Sequence, residues 1–168
     1  NSLRMVTHTL DCMARGGMYD VLGGGFCRYS VDNNWLIPHF EKMLYDNAQL
    51  ISIYSDAYRV TKKPGYARIV RDTVHYILRD MRSEFGAFFA SEDADSEGKE
   101  GHFYAWKPTA LRKAMGTLDG VRLCRLFNVS KDGNFEDGKS VLRCDTIIED
   151  LSEDDQQLIA KSRPILLA

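Results

Sequence analysis

No apolar run in the 168 residues approaches the ~20 needed to cross a bilayer, which excludes a membrane-spanning helix. The start lacks the charged, apolar and small-residue succession of a secretory signal. No Cys-x-x-Cys pair is present, and Cys12, Cys27, Cys124 and Cys144 are scattered without zinc-ligand spacing. A zinc module or a dithiol redox motif is thereby excluded, and reduced thiols in a cytoplasmic setting are expected. Charge of one sign is lacking too: 22 basic residues face 24 acidic ones. That balance leaves no nucleic-acid footprint and no polybasic membrane patch. The length suits one domain burying roughly two-thirds of its chain surface. Both ends look cut, since Asn1 opens almost directly into a helical pattern and Ile165-Leu-Leu-Ala168 ends it uncapped. Residues 1–168 are therefore expected to be a piece of a larger polypeptide.

What is present is mainly helical. The spacing predicts helices over Ser2–Arg15, Phe40–Val60, Gly65–Arg82, Pro108–Gly116, Leu118–Phe127 and Ser152–Lys161. Gly16-Gly17 ends the first, and Gly23-Gly-Gly25 permits backbone angles closed to other residues. Short strands at Phe26–Val31 and Trp35–Pro38 frame the turn Asp32-Asn-Asn34, and a second pair is expected at Phe85–Phe89 and His102–Trp106. The two hairpins recur at roughly 60 residues, as in stacked helical pairs that form solenoids or closed toroids. Loops gathered at one end of such a scaffold are the place for a binding site.

The densest chemistry lies in Trp35–Ala48. On the stripe Phe40, Met43, Leu44, Ile51, Tyr54 and Tyr58, Asn47 falls in the middle and Asp46 at the edge. A buried amide or carboxylate costs on the order of 1–3 kcal/mol unless partnered, so each braces a loop or faces a wet cavity. His39 and Glu41 fall at the expected helix start. Glu41 has three readings: helix-dipole partner, ion-pair partner or general base. His39 and His102 each lie beside a loop, as turn-bracing groups or as site residues, whereas His8 and His75 lie on solvated faces. The acidic loop Ser91–Gly101 places Asp93, Asp95 and Glu97 before Gly98 like a calcium loop, but Tyr104 occupies the position of the required twelfth-residue Glu, which excludes an EF-hand. Its carboxylates suit hydroxyls, a cationic partner or a solvated turn. Tyr19, Phe26, Tyr29, Trp35, Phe88, Tyr104 and Trp106 cluster near loops, either to stack on sugar rings or to plug the mouth of a helical barrel.

Gly17-Met-Tyr-Asp-Val-Leu-Gly-Gly-Gly-Phe26, Arg28-Tyr-Ser-Val-Asp32, Pro38–Ala48 and Asp93-Ala-Asp-Ser-Glu-Gly98 occur in order. Together they resemble the YyaL-type proteins, also called the spermatogenesis-associated thioredoxin-domain family, from about Thr9 to Leu142. The resemblance implies a helical region similar to the N-acylglucosamine 2-epimerase and six-hairpin glycosidase toroids. It also implies a thioredoxin-like domain and a ring-closing remainder outside residues 1–168. Cys27 and Cys144 stand where the family is expected to carry His, and a thiol does not replace a neutral-pH base.

The expected function is carbohydrate processing, epimerase- or glycosidase-like. His39, Glu41, Asp93 and Asp95 are the acid–base candidates, and Tyr29, Trp35, Asp46, Asn47 and Tyr104 line the pocket. The alternative is a non-catalytic binding or scaffold module attached to the thioredoxin-like domain. A divalent-metal site in the acidic loop is a third reading; otherwise no metal or cofactor is expected. Expected partners are a small carbohydrate and the thioredoxin-like domain, with self-association through uncovered apolar helix faces.

Overall fold

A computed structural model describes residues 1–168. Six helices dominate: α1 (Ser2–Arg15), α2 (Leu44–Thr61), α3 (Pro64–Asp80), α4 (Pro108–Met115), α5 (Thr117–Leu126) and α6 (Glu153–Leu166). Eight two-residue strands form four antiparallel pairs: β1 (Tyr29–Ser30) with β2 (Pro38–His39), β3 (Lys42–Met43) with β4 (Ser91–Glu92), β5 (Asp95–Ser96) with β6 (Lys99–Glu100), and β7 (Ala105–Trp106) with β8 (Ser140–Val141). The chain is mainly α, tied together by short β pairings. α2 and α3 pack on each other across a turn in which Lys62 adopts a left-handed conformation and Pro64 opens α3 with the φ a first turn wants. α4 and α5 pair across Gly116, and α6 packs on both.

Three apolar clusters form the interior. One gathers Leu10, Tyr54, Tyr66 and Ile69 from α1, α2 and α3 with Met18, Tyr19 and Phe26 from the segment after α1. A second joins Val21 and Leu22 to Leu111, Leu123, Phe127, Leu158 and Ile159 around α4, α5 and α6. The third is small: Cys27, Phe40, Ala94 and Val141 beneath the β pairings. Residues 16–27 supply side chains to all three and are buried throughout except at Asp20.

A buried irregular segment must find a partner for each backbone polar group. Asp20 Oδ1 accepts the Leu22 and Gly23 N–H groups at 3.0 and 2.9 Å. Four carbonyls are taken by side chains from distant elements. Arg163 donates to Val21 at 3.1 Å, Arg79 to Gly23 at 2.9 Å, Lys42 to Gly24 at 3.1 Å and Asn47 to Phe26 at 3.0 Å. The Asn47 oxygen accepts the Phe26 N–H at 2.8 Å, and its amide also donates to Met43 at 2.9 Å. Gly24 and Gly25 turn here at φ +80 and +77, with α3 so close that a Cβ on Gly25 would fall 2.4 Å from the Tyr76 ring.

Several expected boundaries move. α2 starts at Leu44 rather than Phe40, because residues 38–43 are drawn into extended pairing with β1 and β4. The second hairpin does not form as expected. Arg82 bridges Phe88, β4 pairs with β3, the acidic loop makes its own β5–β6 hairpin, and β7 pairs with the distant β8. α6 continues past Lys161 through Pro164 to Leu166, held by burial of Ser162 and Leu166 and by the contacts of Arg163.

Asp72 of α3 joins these parts electrostatically. Its Oδ2 accepts from Tyr19 at 2.8 Å, Arg68 at 3.1 Å and Arg163 at 2.9 Å, and Arg68 also reaches Glu149 at 2.7 Å. Burial acts to raise the Asp72 carboxyl, but the Arg163 charge, hydrogen bonds from Arg163 and Tyr19, and the Arg68 charge together hold it below the usual range. A depressed folded-state value contributes stability that is complete above the unfolded value, about pH 4, and is lost as pH falls through the folded one. Asp72→Asn is therefore expected to lower stability at pH 7 and to make the acid limb of urea-unfolding stability between pH 5 and 3 shallower. Asn47→Leu, which strands the Phe26 N–H and two carbonyls, is expected to cost about 3 kcal/mol. The melting temperature should then fall by roughly 6–12 °C.

Candidate functional site

The extended stretch 38–43 sorts its side chains by alternation. Pro38, Phe40 and Lys42 are buried, whereas His39, Glu41 and Met43 are only partly covered. Two polar sites result, one on each side of the strand.

On the inner side Lys42 is 1% exposed. Its ammonium donates to Asp20 Oδ2 at 2.9 Å and to the Gly24 carbonyl, and lies 4.3 and 4.8 Å from the ring centres of Tyr76 and Tyr104. Glu92 accepts both phenols, Tyr76 on one oxygen at 2.6 Å and Tyr104 on the other at 2.8 Å. Burial, followed by interaction with Glu92, pushes both phenols up and keeps them as donors. Burial lowers Lys42, but the carboxylates of Asp20 and Glu92 offset it, so the ammonium stays charged. Desolvation pushes the nearby Cys27 thiol up to about 12, which makes it a neutral packing group rather than a nucleophile. These groups border an open hollow of about 580 Å³ lined by Asp20, Lys42, Tyr76, Arg79, Glu92 and Tyr104 among others. Beside it, an apolar crevice runs past Phe103, Trp106 and Leu167.

On the outer side, β1–β2 pairing sets Tyr29 opposite His39 with ring centres 5.2 Å apart. His39 Nδ1 lies 2.7 Å from Glu100 and Nε2 3.7 Å from Glu41, which in turn accepts from Arg28 at 3.0 Å. An imidazole with one nitrogen held by a carboxylate is oriented for proton exchange at the other. Asp46 feels this cluster. Burial raises its carboxyl first, Arg28 opposes and Glu41 adds to the rise.

The expected site residues are thus divided. His39, Glu41, Tyr29 and Asp46 come together on the outer side, and Tyr104 joins the inner hollow. Asn47, with no exposed surface, braces Phe26. Trp35 adopts φ +62 in the turn after Asp32, and its carbonyl accepts the Gly17 N–H at 2.8 Å. Asp93 and Asp95 are exposed, and Asp93 accepts the Asp95 N–H at 3.1 Å to shape the loop. No three His, Cys, Asp or Glu side chains are grouped to hold a metal ion. Sequence reasoning missed Lys42, Asp20, Glu92 and Tyr76. The signal available for Lys42 was its place in the same extended alternation as Pro38 and Phe40.

No family model matches the chain. It is 43% identical to spermatogenesis-associated protein 20 of Mus musculus over 146 residues, which is 78% of this chain and 18% of that protein. The same protein of Homo sapiens matches at 43% over 109 residues, 61% of this chain and 14% of the relative. An uncharacterized protein of Caenorhabditis elegans is 38% identical over 153 residues, 85% of this chain and 21% of the relative. The chain spans about a fifth or less of these curated relatives. The identities support the family resemblance carried by the motifs.

Lys42→Met would remove the buried ammonium bonded to Asp20 and close to Glu92, leave Arg79 as the remaining cation of the hollow, and strand the Gly24 carbonyl. A loss of roughly 3–5 kcal/mol is expected, and adding Asp20→Asn should restore part of it; equilibrium unfolding in denaturant measures both.

Proposed function

We propose that this chain is a segment of the helical region of a spermatogenesis-associated, YyaL-type protein, contributing the loop end of an (α/α) toroid that binds a small carbohydrate. In this reading the sugar occupies the inner hollow. The supporting observation is the convergence there of aromatic rings with Asp20, Glu92, Arg79 and Lys42, the combination that suits ring stacking and hydroxyl recognition. His39 and Glu41, with Glu100 orienting the imidazole, form a separate acid–base cluster on the other side of the strand, and in this reading they do not hold the sugar. Asp93 and Asp95 serve this reading as loop-shaping groups. The protein would work in the cytoplasm beside a thioredoxin-like domain of the same polypeptide.

A second reading, a scaffold module, draws on a different observation: Asn47, Asp20 and Lys42 are each already engaged by protein groups. There the polar residues lock the glycine turn, and apolar faces such as Leu3, Met5 and Val60 meet neighbouring parts or a second copy.

Titration with neutral mono- and disaccharides by calorimetry separates these. Binding weakened about ten-fold by Tyr104→Phe or Glu92→Gln, and retained in His39→Ala, is the expected result. Binding abolished by His39→Ala alone would move the sugar to the outer side. No binding to any sugar tested would favour the scaffold.

A further inference from the structure

A third concave region lies apart from both polar sites, where β7 runs into α4. It has a volume of about 470 Å³, and its wall carries Lys107, Lys113, Lys139, His102, Trp106 and Phe103 with no carboxylate among its lining residues. Unlike Lys42, Lys63, Lys99 and Lys161, none of its three lysines has a carboxylate within ion-pair distance. Lys139 lies 3.0 Å from His102 Nδ1. An ammonium has only hydrogens to give, so it meets the ring's lone pair and Nε2 carries the ring hydrogen, facing Glu97 at 3.7 Å. Two of the Lys139 hydrogens remain for another acceptor.

Like charges collected on one wall repel each other, and the protein supplies no counterion inside the groove. Their field is felt outside it: Asp137, held chiefly by a hydrogen bond and the charge of Lys99, is lowered further by Lys107 and Lys139. The rim is acidic, with Glu97 and Asp137 close by, and the whole chain is slightly negative at −2. A long polyanion would meet that rim, whereas a small dianion fits inside it. Trp106 and Phe103 add partly exposed aromatic surface beside the ammonium groups.

We infer that this groove binds the phosphate group of a small phosphomonoester, with Lys107, Lys113 and Lys139 as cationic donors and the Trp106–Phe103 wall against the organic part. The assignment is independent of sugar binding in the hollow around Lys42, which Phe103 separates from the groove.

The test uses phenyl phosphate, which has no sugar hydroxyls, beside inorganic phosphate, at constant ionic strength and with amide NMR shifts as readout. Saturable shifts are expected at Lys107, at residues 109–113 and at Lys139, with phenyl phosphate binding more tightly than phosphate. The Lys107→Gln/Lys113→Gln double variant, altered only at exposed positions, should bind about ten-fold more weakly. The same charge change at Lys62→Gln should leave binding unchanged. Equal weakening in Lys62→Gln, equal affinity for phosphate and its ester, or shifts that do not saturate would overturn the inference. So would a single-stranded RNA that binds the same amides more tightly than phenyl phosphate.

Discussion

Burying the backbone of residues 16–27 is the constraint from which the rest of the structure follows. The segment touches all three apolar clusters, so it cannot be moved to the surface without opening each of them. Irregular backbone in such a place has no ladder of its own. The missing partners are brought by Asp20 from within, by Asn47 and Lys42 from the strand–helix junction, by Arg79 from α3 and by Arg163 from α6. Asn47 and Lys42 put an amide and a charge where a core would otherwise be apolar, whereas Arg79 reaches in from the surface. Each must then be satisfied in turn, which is why Asp72 meets Arg163 and Asp20 meets Lys42.

This arrangement connects stability to any site built upon it. The inner hollow is walled by the same Asp20, Lys42 and Arg79 that hold the glycine turn, so its shape is preorganised by folding. Glu92 and the two tyrosines extend the wall through the β3–β4 pairing, which sets Lys42 directly opposite Glu92. The outer cluster around His39 depends on the neighbouring β1–β2 pairing and on Glu100 of the β5–β6 hairpin. Three short pairings thus position two polar sites that no single helix could present.

Much of the helical framework was legible in the chain. The α1 limits follow from its apolar period and Gly16, α4 from Pro108 and Gly116, and the mainly α class from the sum. Asp32 and the residues around it were recognisable as a turn, as was the need for a partner at Asn47. The start of α2 was not, because Phe40, Met43 and Leu44 keep helical spacing even though Phe40–Met43 is extended. Tertiary pairing with β1 and β4 overrides the local pattern there. That shift in phase from 3.6 to 2 moved Lys42 from a solvated face to the interior and parted it from His39 and Glu41.

Composition, periodicity and glycine placement by themselves determined a mainly helical chain without membrane-spanning helices, with a special turn at residues 23–25 and chemistry concentrated near residues 35–48. Which side of the strand each polar group faces, and which distant carbonyl it serves, was decided only in three dimensions. The reason is that hydrogen-bond donors such as Arg79 and Arg163 look like ordinary surface charges in sequence. Their targets, the Gly23 and Val21 carbonyls, lie 56 and 142 residues away, and no local pattern records a bond between a side chain and so remote a piece of backbone.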